Sequence, residues 1–280
     1  MKDFRIPLRS VWNNPGNRNH RATRLMRALK WQFSKHIRGR TRILHLPSGA
    51  LFKAYPDCVI SSALIYADWP EFHEMMFVRK MIRSNQVAID IGANVGHILL
   101  SISDIIPASG LFAFEPTPVS FRRLKGNWLL NHWPTENLYQ VAISDAAGAM
   151  YIQDISTPTT TNALHLNAST GSVPVRVAPL DSFLDLWRGS QIGLLKIDVE
   201  GFEAAVFRGA TAFFQELSPK LVMFESLQGK LDNEIGDVLR AVGYDVFQLD
   251  TNGEPQFGRA EAQNLFAIPG APISSRSTRN

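Results

Sequence analysis

The sequence predicts an α/β fold: a doubly wound, seven-stranded, mostly parallel sheet that carries a basic N-terminal extension. Three observations predict it. The run Val87-Ala88-Ile89-Asp90-Ile91-Gly92-Ala93-Asn94-Val95-Gly96 is apolar, ends in an acid and two glycines, and is followed at once by Ile98-Leu99-Leu100. That is a buried strand, a tight turn and a helix start. From there short apolar runs alternate with helical segments, as they do where crossover helices join parallel strands. Acids stand at the ends of three such runs, at Asp90, Glu115 and Asp198. In open α/β sheets the strand ends face the ligand crevice, so residues distant in sequence are delivered to one rim.

The chain of 280 residues is long enough for one large core. A hydrophobic content of 45% with 19% charged residues is ordinary for a folded protein and sets the chain apart from disordered and membrane-spanning classes. No run approaches the roughly 18 apolar residues of a membrane span, and the first residues lack the apolar core of a signal peptide. The single cysteine, Cys58, excludes an intrachain disulfide and any multi-cysteine metal site. A cytoplasmic setting, peripheral to a membrane at most, is the expectation. The net charge of +4 conceals an asymmetry. Residues 1–42 hold twelve Lys and Arg against one acid, Asp3, so the remainder is mildly acidic.

Taken in order, residues 1–42 are expected to be a basic arm. Its first 18 residues, with Pro7, Pro15, Gly16 and several Asn, read as poorly ordered. A helix then runs from an Asn19 cap to a Gly39 stop. Ala22, Leu25, Met26, Leu29, Phe33 and Ile37 share one face of it, with Arg24, Arg27, Lys35 and Arg38 opposite and Trp31 among them. The plain expectation is an apolar face packed on the core and a solvated basic face. A basic amphipathic helix can also lie on an anionic membrane surface, although Trp31 then sits on the wrong side. Contact with an anionic polymer is the remaining alternative.

Residues 43–84 read as lead-in strands, including Val59-Ile60, and a helix from Glu71 to Ile82. Residues 85–268 form the main domain. Strands are expected at 87–91, 111–115, 138–142, 192–198, 220–225, 245–249 and 264–268. Helices are expected near 95–105, 118–131, 180–188, 202–215 and 231–242, with Thr117-Pro118 starting the second. Met150-Tyr151-Ile152 and Val173-Pro174-Val175-Arg176-Val177 read as extra strands flanking a polar, mobile loop at Ser156–Ser172. Residues 269–280 read as a disordered tail.

The glycine turn identifies a nucleoside site. Asp90 at a strand end calls for cationic or hydrogen-bond-donating partners. Its G-A-N-V-G-H order breaks the G-x-G-x-x-G spacing of a nicotinamide dinucleotide site. The pattern D-x-G-x-N-x-G resembles motif I of the class I methyltransferases, which bind S-adenosyl-L-methionine. Three segments in order, Asp90-Ile91-Gly92-Ala93-Asn94-Val95-Gly96, Phe114-Glu115-Pro116 and Leu195-Lys196-Ile197-Asp198-Val199-Glu200-Gly201-Phe202-Glu203, resemble the FkbM family of S-adenosylmethionine-dependent O-methyltransferases. Val141-Ala142-Ile143-Ser144-Asp145 and Pro179-Leu180-Asp181-Ser182 extend the resemblance, which covers about half the chain. His97 departs from the family's usual residue after motif I.

The resemblance implies a Rossmann-like, class I methyltransferase sheet. It implies Glu115 on the ribose hydroxyls and Asp90, Gly92, Ala93, Asn94 and Gly96 around the amino-acid portion. It puts Ala142, Ser144 and Asp145 near the adenine. A helix-start charge is the plain alternative for Glu115. Asp198 is expected to position cofactor or acceptor, with Glu200 or Glu225 as the base. Helix-start capping is the alternative for Glu200 and Glu203, a cap is expected of Asp181, and Lys196 reads as structural or paired. His97 and His165 can take a proton near neutral pH but are more simply structural or exposed. No H-x-x-x-H or cysteine pair is present, so no metal is expected. No N-P-P-Y-type loop follows Asp198, so no specific nucleic acid partner is expected. The expected acceptor is a hydroxyl on a sugar, a glycan or a secondary metabolite. The alternative is a protein of the same fold that binds the cofactor and docks a partner without chemistry.

Overall fold

A computed structural model describes residues 5–37, 39–153, 164–165, 171–226 and 229–270. Most of the Ser156–Ser172 stretch, the side chains of His165 and Arg38, and residues 271–280 of the expected tail lie outside the described residues.

The chain opens with helices α1 (Arg5–Asn13) and α2 (Arg21–Ile37), so the expectation of a poorly ordered start fails over 5–18. Buried asparagines order the connection. The Asn14 side chain accepts from Gly16 N at 2.9 Å and donates to the carbonyls of Trp69 and Pro70. Asn17 Nδ2 donates to the carbonyls of Val11 and Tyr66, both at 3.0 Å. Polar turn residues thus satisfy backbone groups across elements.

The face assignment of α2 is reversed relative to expectation. Trp31 is fully buried and its indole N–H donates to Ser62 Oγ at 3.1 Å, while Met26, Leu29 and Phe33 are exposed. Arg24 and Arg27 turn inward and both pair with Asp68. A large aromatic with a partner for its N–H, and an acid to neutralise the arginines, outweigh the apolar stripe.

Strands β1 (Arg42–His45) and β2 (Leu51–Ala54) form the expected hairpin. The Val59-Ile60 pair is not a strand; it begins helix α3 (Val59–Tyr66), which packs against α1, α2 and β2. Helix α4 (Phe72–Met81) leads into β3 (Gln86–Ile91), α5 (His97–Ser101), β4 (Leu111–Phe114), α6 (Pro118–Leu130) and β5 (Leu138–Tyr139). The expected strand at 138–142 divides here. Its second part, β6 (Ala142–Ile143), leaves to join a small second sheet with β7 (Gly148–Gln153), β8 (Leu164–His165) and β9 (Ser172–Ala178), in the order β6-β9-β7-β8. Residues 180–186 are 3-10 rather than α.

Strand β10 (Gln191–Ile197) is followed by α7 (Glu203–Arg208) and α8 (Thr211–Leu217), which replace one expected helix. The break falls at Gly209, where a Cβ would lie 1.9 Å from the Ser144 carbonyl oxygen. Asp181 is a cap, but for α8, accepting from Ala212 N and Phe213 N. Strand β11 (Val222–Glu225), α9 (Asn233–Ala241), β12 (Tyr244–Leu249), β13 (Pro255–Phe257) and β14 (Asn264–Pro269) are the last described elements.

The large sheet has the order β13-β12-β14-β11-β10-β3-β4-β5. All seven expected strands are in it, with β5 the surviving part of 138–142, and β13 is an added edge. The pairs from β5 to β11 are parallel; β14 runs against both β11 and β12. The central strands β3, β4 and β10 are buried along nearly their whole length because helices cover both faces. One face packs Trp31, Leu99 and Trp128, the other Trp187, Phe207 and Phe213. Strand order reverses between β3 and β10, which places the ligand crevice at their carboxyl ends.

Candidate active site

At that switch point lies a cavity of about 510 Å³. Its floor is the β3 turn, its sides the tips of β4, β10 and β11, and its cover α3 with Val59, Ile60 and Ala63.

The turn after β3 is shaped by close packing. Gly92 has φ +79, and a Cβ there would lie 1.8 Å from the Asp198 carbonyl oxygen. The N–H groups of Gly92 and Ala93 both donate to the Phe114 carbonyl, tying the turn to β4. Asn94 takes a left-handed φ of 51, which Asn tolerates better than most residues. Gly96, φ +82, is needed for helix packing, since a Cβ would meet Leu124 and Trp128. Asn127 of α6 donates from Nδ2 to the Val95 carbonyl and accepts from Lys53 N, so the turn is braced from two sides.

Glu115 stands at the tip of β4, buried but on the cavity wall. Its Oε2 accepts from Asn94 N and its Oε1 from Thr117 N, each at 2.8 Å. A carboxylate offers about four acceptor sites, so capacity for a ligand hydroxyl remains beyond these N–H groups and the Thr117 hydroxyl. Burial pushes the Glu115 carboxyl above the usual range, against the pull of the Thr117 hydroxyl and of those N–H groups. Asn94 Oδ1 is buried on the same wall with no donor among the described residues.

Asp90 lies behind the wall, fully buried. It is the register neighbour of Lys196 on β10, and Lys196 Nζ sits 3.3 Å from Asp90 Oδ1 and 3.1 Å from Asp198 Oδ2. Burial works against the Lys196 charge, but the two carboxylates outweigh it and hold the ammonium above its usual range. Burial pushes Asp90 up. Asp198, on the wall, would also be raised by desolvation, yet Lys196 beside it holds its carboxyl below the usual range.

Asp198, Glu200 and Glu225 come together. One carboxylate oxygen from each lies within 4.8 Å of the others, close enough to share one cation. Glu225, at the tip of β11, accepts from Gln263 Nε2 at 3.0 Å and is raised by desolvation and by Asp198. Glu200 is pushed up to about 7 by desolvation and by the Glu225 and Asp198 charges. Its backbone is left-handed, φ 52. Buried Glu203 holds it there by accepting from Val199 N and Gly201 N. Of the three, Glu200 is the one whose affinity for protons suits it to accept a proton from a substrate near neutral pH.

Not every expected residue reaches the cavity. Gly92, Asn94, Glu115, Ala142, Asp198, Glu200 and Glu225 line it. Ala93 and Gly96 are buried behind the turn. Ser144 and Asp145 line a separate concavity, where Asp145 pairs with Arg208 at 2.7 Å. His97 lines the cavity, and burial pushes its imidazole down to about 3, so it is neutral and a poor base. Sequence reasoning missed Glu71, which opens onto the cavity and is raised to about 7 by desolvation and by Glu74. It also missed the α3 residues and Gln263. Nothing in their local pattern signals that they meet the strand tips.

Residues 90–246 match the family model described as the methyltransferase FkbM domain. The chain is 26% identical over 216 residues to the 31-O-demethyl-FK506 methyltransferase FkbM of Streptomyces tacrolimicus, covering 66% of this chain and 82% of that one. It is 26% identical over 136 residues to the hexuronic acid methyltransferase AglP of Haloferax volcanii, covering 48% and 54%. Among solved structures, the FkbM methyltransferase from Methylobacillus flagellatus KT superposes with a TM-score of 0.44 at 11% identity, covering 88% of this chain and 60% of that chain.

Proposed function

The chain belongs to the FkbM-domain methyltransferase family, and we propose that it transfers a methyl group from S-adenosyl-L-methionine to a hydroxyl of an uncharged sugar, glycan or secondary metabolite. The observation that carries this reading is Glu115 on the cavity wall, doubly anchored by backbone N–H groups and with acceptor capacity to spare.

The residues present fit that cofactor. Glu115 would hold the ribose hydroxyls. Asn94 Oδ1, buried with no donor among the described residues, would accept from the cofactor's ammonium group. Ala142 and its neighbours Val141 and Ile143 supply an apolar wall for a purine. When bound, the cofactor supplies a methyl group already activated by a sulfonium charge.

What remains for the protein is alignment, exclusion of water and removal of the acceptor's proton. Glu200 is the base we assign, because its affinity for protons is matched to neutral pH. Glu225 and Asp198 are neighbours shifted in opposite directions, Glu225 raised by desolvation and by the Asp198 charge, Asp198 lowered by Lys196. The ionised Asp198 accepts from the acceptor's hydroxyl or a neighbouring one. Lys196 holds Asp198 and Asp90 in place from behind. No metal enters this assignment.

Among the described residues, the cavity wall carries Glu71, Glu115, Asp198, Glu200 and Glu225 against Lys196 as its sole Lys or Arg. Such a wall repels an acceptor with its own carboxylate. The test is S-adenosylhomocysteine release and a mass gain of one CH₂ on matched neutral and uronic sugars. Turnover of neutral sugars, unaffected by a chelator, is the expected result. Faster turnover of the uronic sugar contradicts the charge argument, and loss of turnover on chelation assigns the three carboxylates to a metal instead.

A further inference from the structure

Leu25 of the apolar stripe of α2 packs against the core, but the stripe's outer edge is bare. Met26, Leu29 and Phe33 recur at three- and four-residue spacing and are 56%, 47% and 62% exposed. Helix α1 repeats the pattern one turn apart with Leu8 and Trp12, at 44% and 59%. Single exposed apolar residues are ordinary, but clustered ones on two packed helices mark a surface that something covers. These helices are firmly held by Trp31, Asn14, Asn17 and the Asp68 pairs, so the face is presented by a folded scaffold.

Charge identifies the cover. Residues 1–42 hold twelve Lys and Arg and one acid. Arg9 lies within one turn of Trp12, and Lys30 within one turn of Phe33; both are exposed. Arg18, Arg40 and Arg42 are exposed as well. The Arg21 guanidinium stacks over the Trp12 ring at 4.6 Å, joining the two helices where the chain turns. An apolar stripe bordered by cations complements a surface with a hydrocarbon interior and negative headgroups. A second copy of this face would instead bring like charges together.

We propose that α1 and α2 dock this protein on an anionic lipid bilayer, lying in the plane of the interface with Leu8, Trp12, Met26, Leu29 and Phe33 inserted and the cations on the headgroups. The contact is independent of the methyl transfer proposed above, so either can fail alone.

The test is flotation of the full chain with phosphatidylcholine vesicles, plain or carrying about 30% phosphatidylglycerol. The bound fraction should rise by at least about tenfold with the anionic lipid and fall as salt is raised. The double substitution Trp12→Ser with Phe33→Ser should abolish flotation without changing the thermal melt, because both side chains are exposed. Should that variant melt early, Arg9→Glu with Lys30→Glu, changed only at charged surface positions, keeps the test: it must lose the preference for anionic vesicles. Absence of flotation by the unaltered chain, or equal binding to both vesicles, overturns the proposal. So does a dimer in sedimentation that the Ser variant dissociates while vesicles stay unbound.

Discussion

The residues at the cavity divide into those that hold and those that act. Glu203 and Lys196 hold: one fixes the 199–201 backbone, the other neutralises two carboxylates. Glu200 acts, and its left-handed backbone, a cost of about 1–2 kcal/mol for a non-glycine residue, is the kind of local strain that clusters at working sites. Its carboxyl is raised to about 7, and the form that accepts a proton is the carboxylate. Turnover should therefore rise with pH through about 7 and level off above it. Glu200→Gln should remove that rise and lower turnover by about 10²–10⁴-fold, with cofactor affinity unchanged in calorimetry. A pH profile identical to the unaltered protein's would move proton removal to another group. The same shift works against the fold. The folded state holds this proton more tightly than the unfolded one, so the group's contribution to stability declines as pH rises from the carboxylate range through about 7. Asp198, Glu200 and Glu225 are legible in the sequence because each ends an apolar run. Glu71 is not, because it precedes a helix like any other capping residue.

Among the elements, legibility follows the strength of the local signal. The β3 turn is readable from Asp90 to Gly96 because steric demand leaves few residue choices there. The division at Gly209 and the departure of β6 from the large sheet depend on where the Ser144 carbonyl and β9 lie, and no local pattern encodes that. Helix α2 shows the limit of periodicity most clearly. Met26, Leu29 and Phe33 of its apolar stripe face out, and its anchor is Trp31 among arginines. That placement carries a prediction. Trp31→Ala should lower unfolding stability by about 3–5 kcal/mol in denaturant titration, the usual cost of emptying a buried aromatic site. A loss under about 1 kcal/mol would mean that the arm is loosely attached.

At the scale of the whole molecule, one topological fact organises the rest. The strand order reverses between β3 and β10, so Asp90, Glu115, Asp198 and Glu225 converge although 135 positions separate the first from the last. Alternation of strands and helices makes this sheet legible from sequence. The cover does not come from that alternation: α3 belongs to the lead-in segment, and its role emerges only when the arm packs behind it. The account as a whole rests on Glu115 and the wall around it. Its most direct test is titration calorimetry of S-adenosyl-L-methionine against the unaltered protein and Glu115→Gln. The account predicts saturable one-site binding, weakened in the variant by about 1.5–3 kcal/mol through the loss of a charged acceptor. No binding to the unaltered protein, or equal affinity in both, would contradict it.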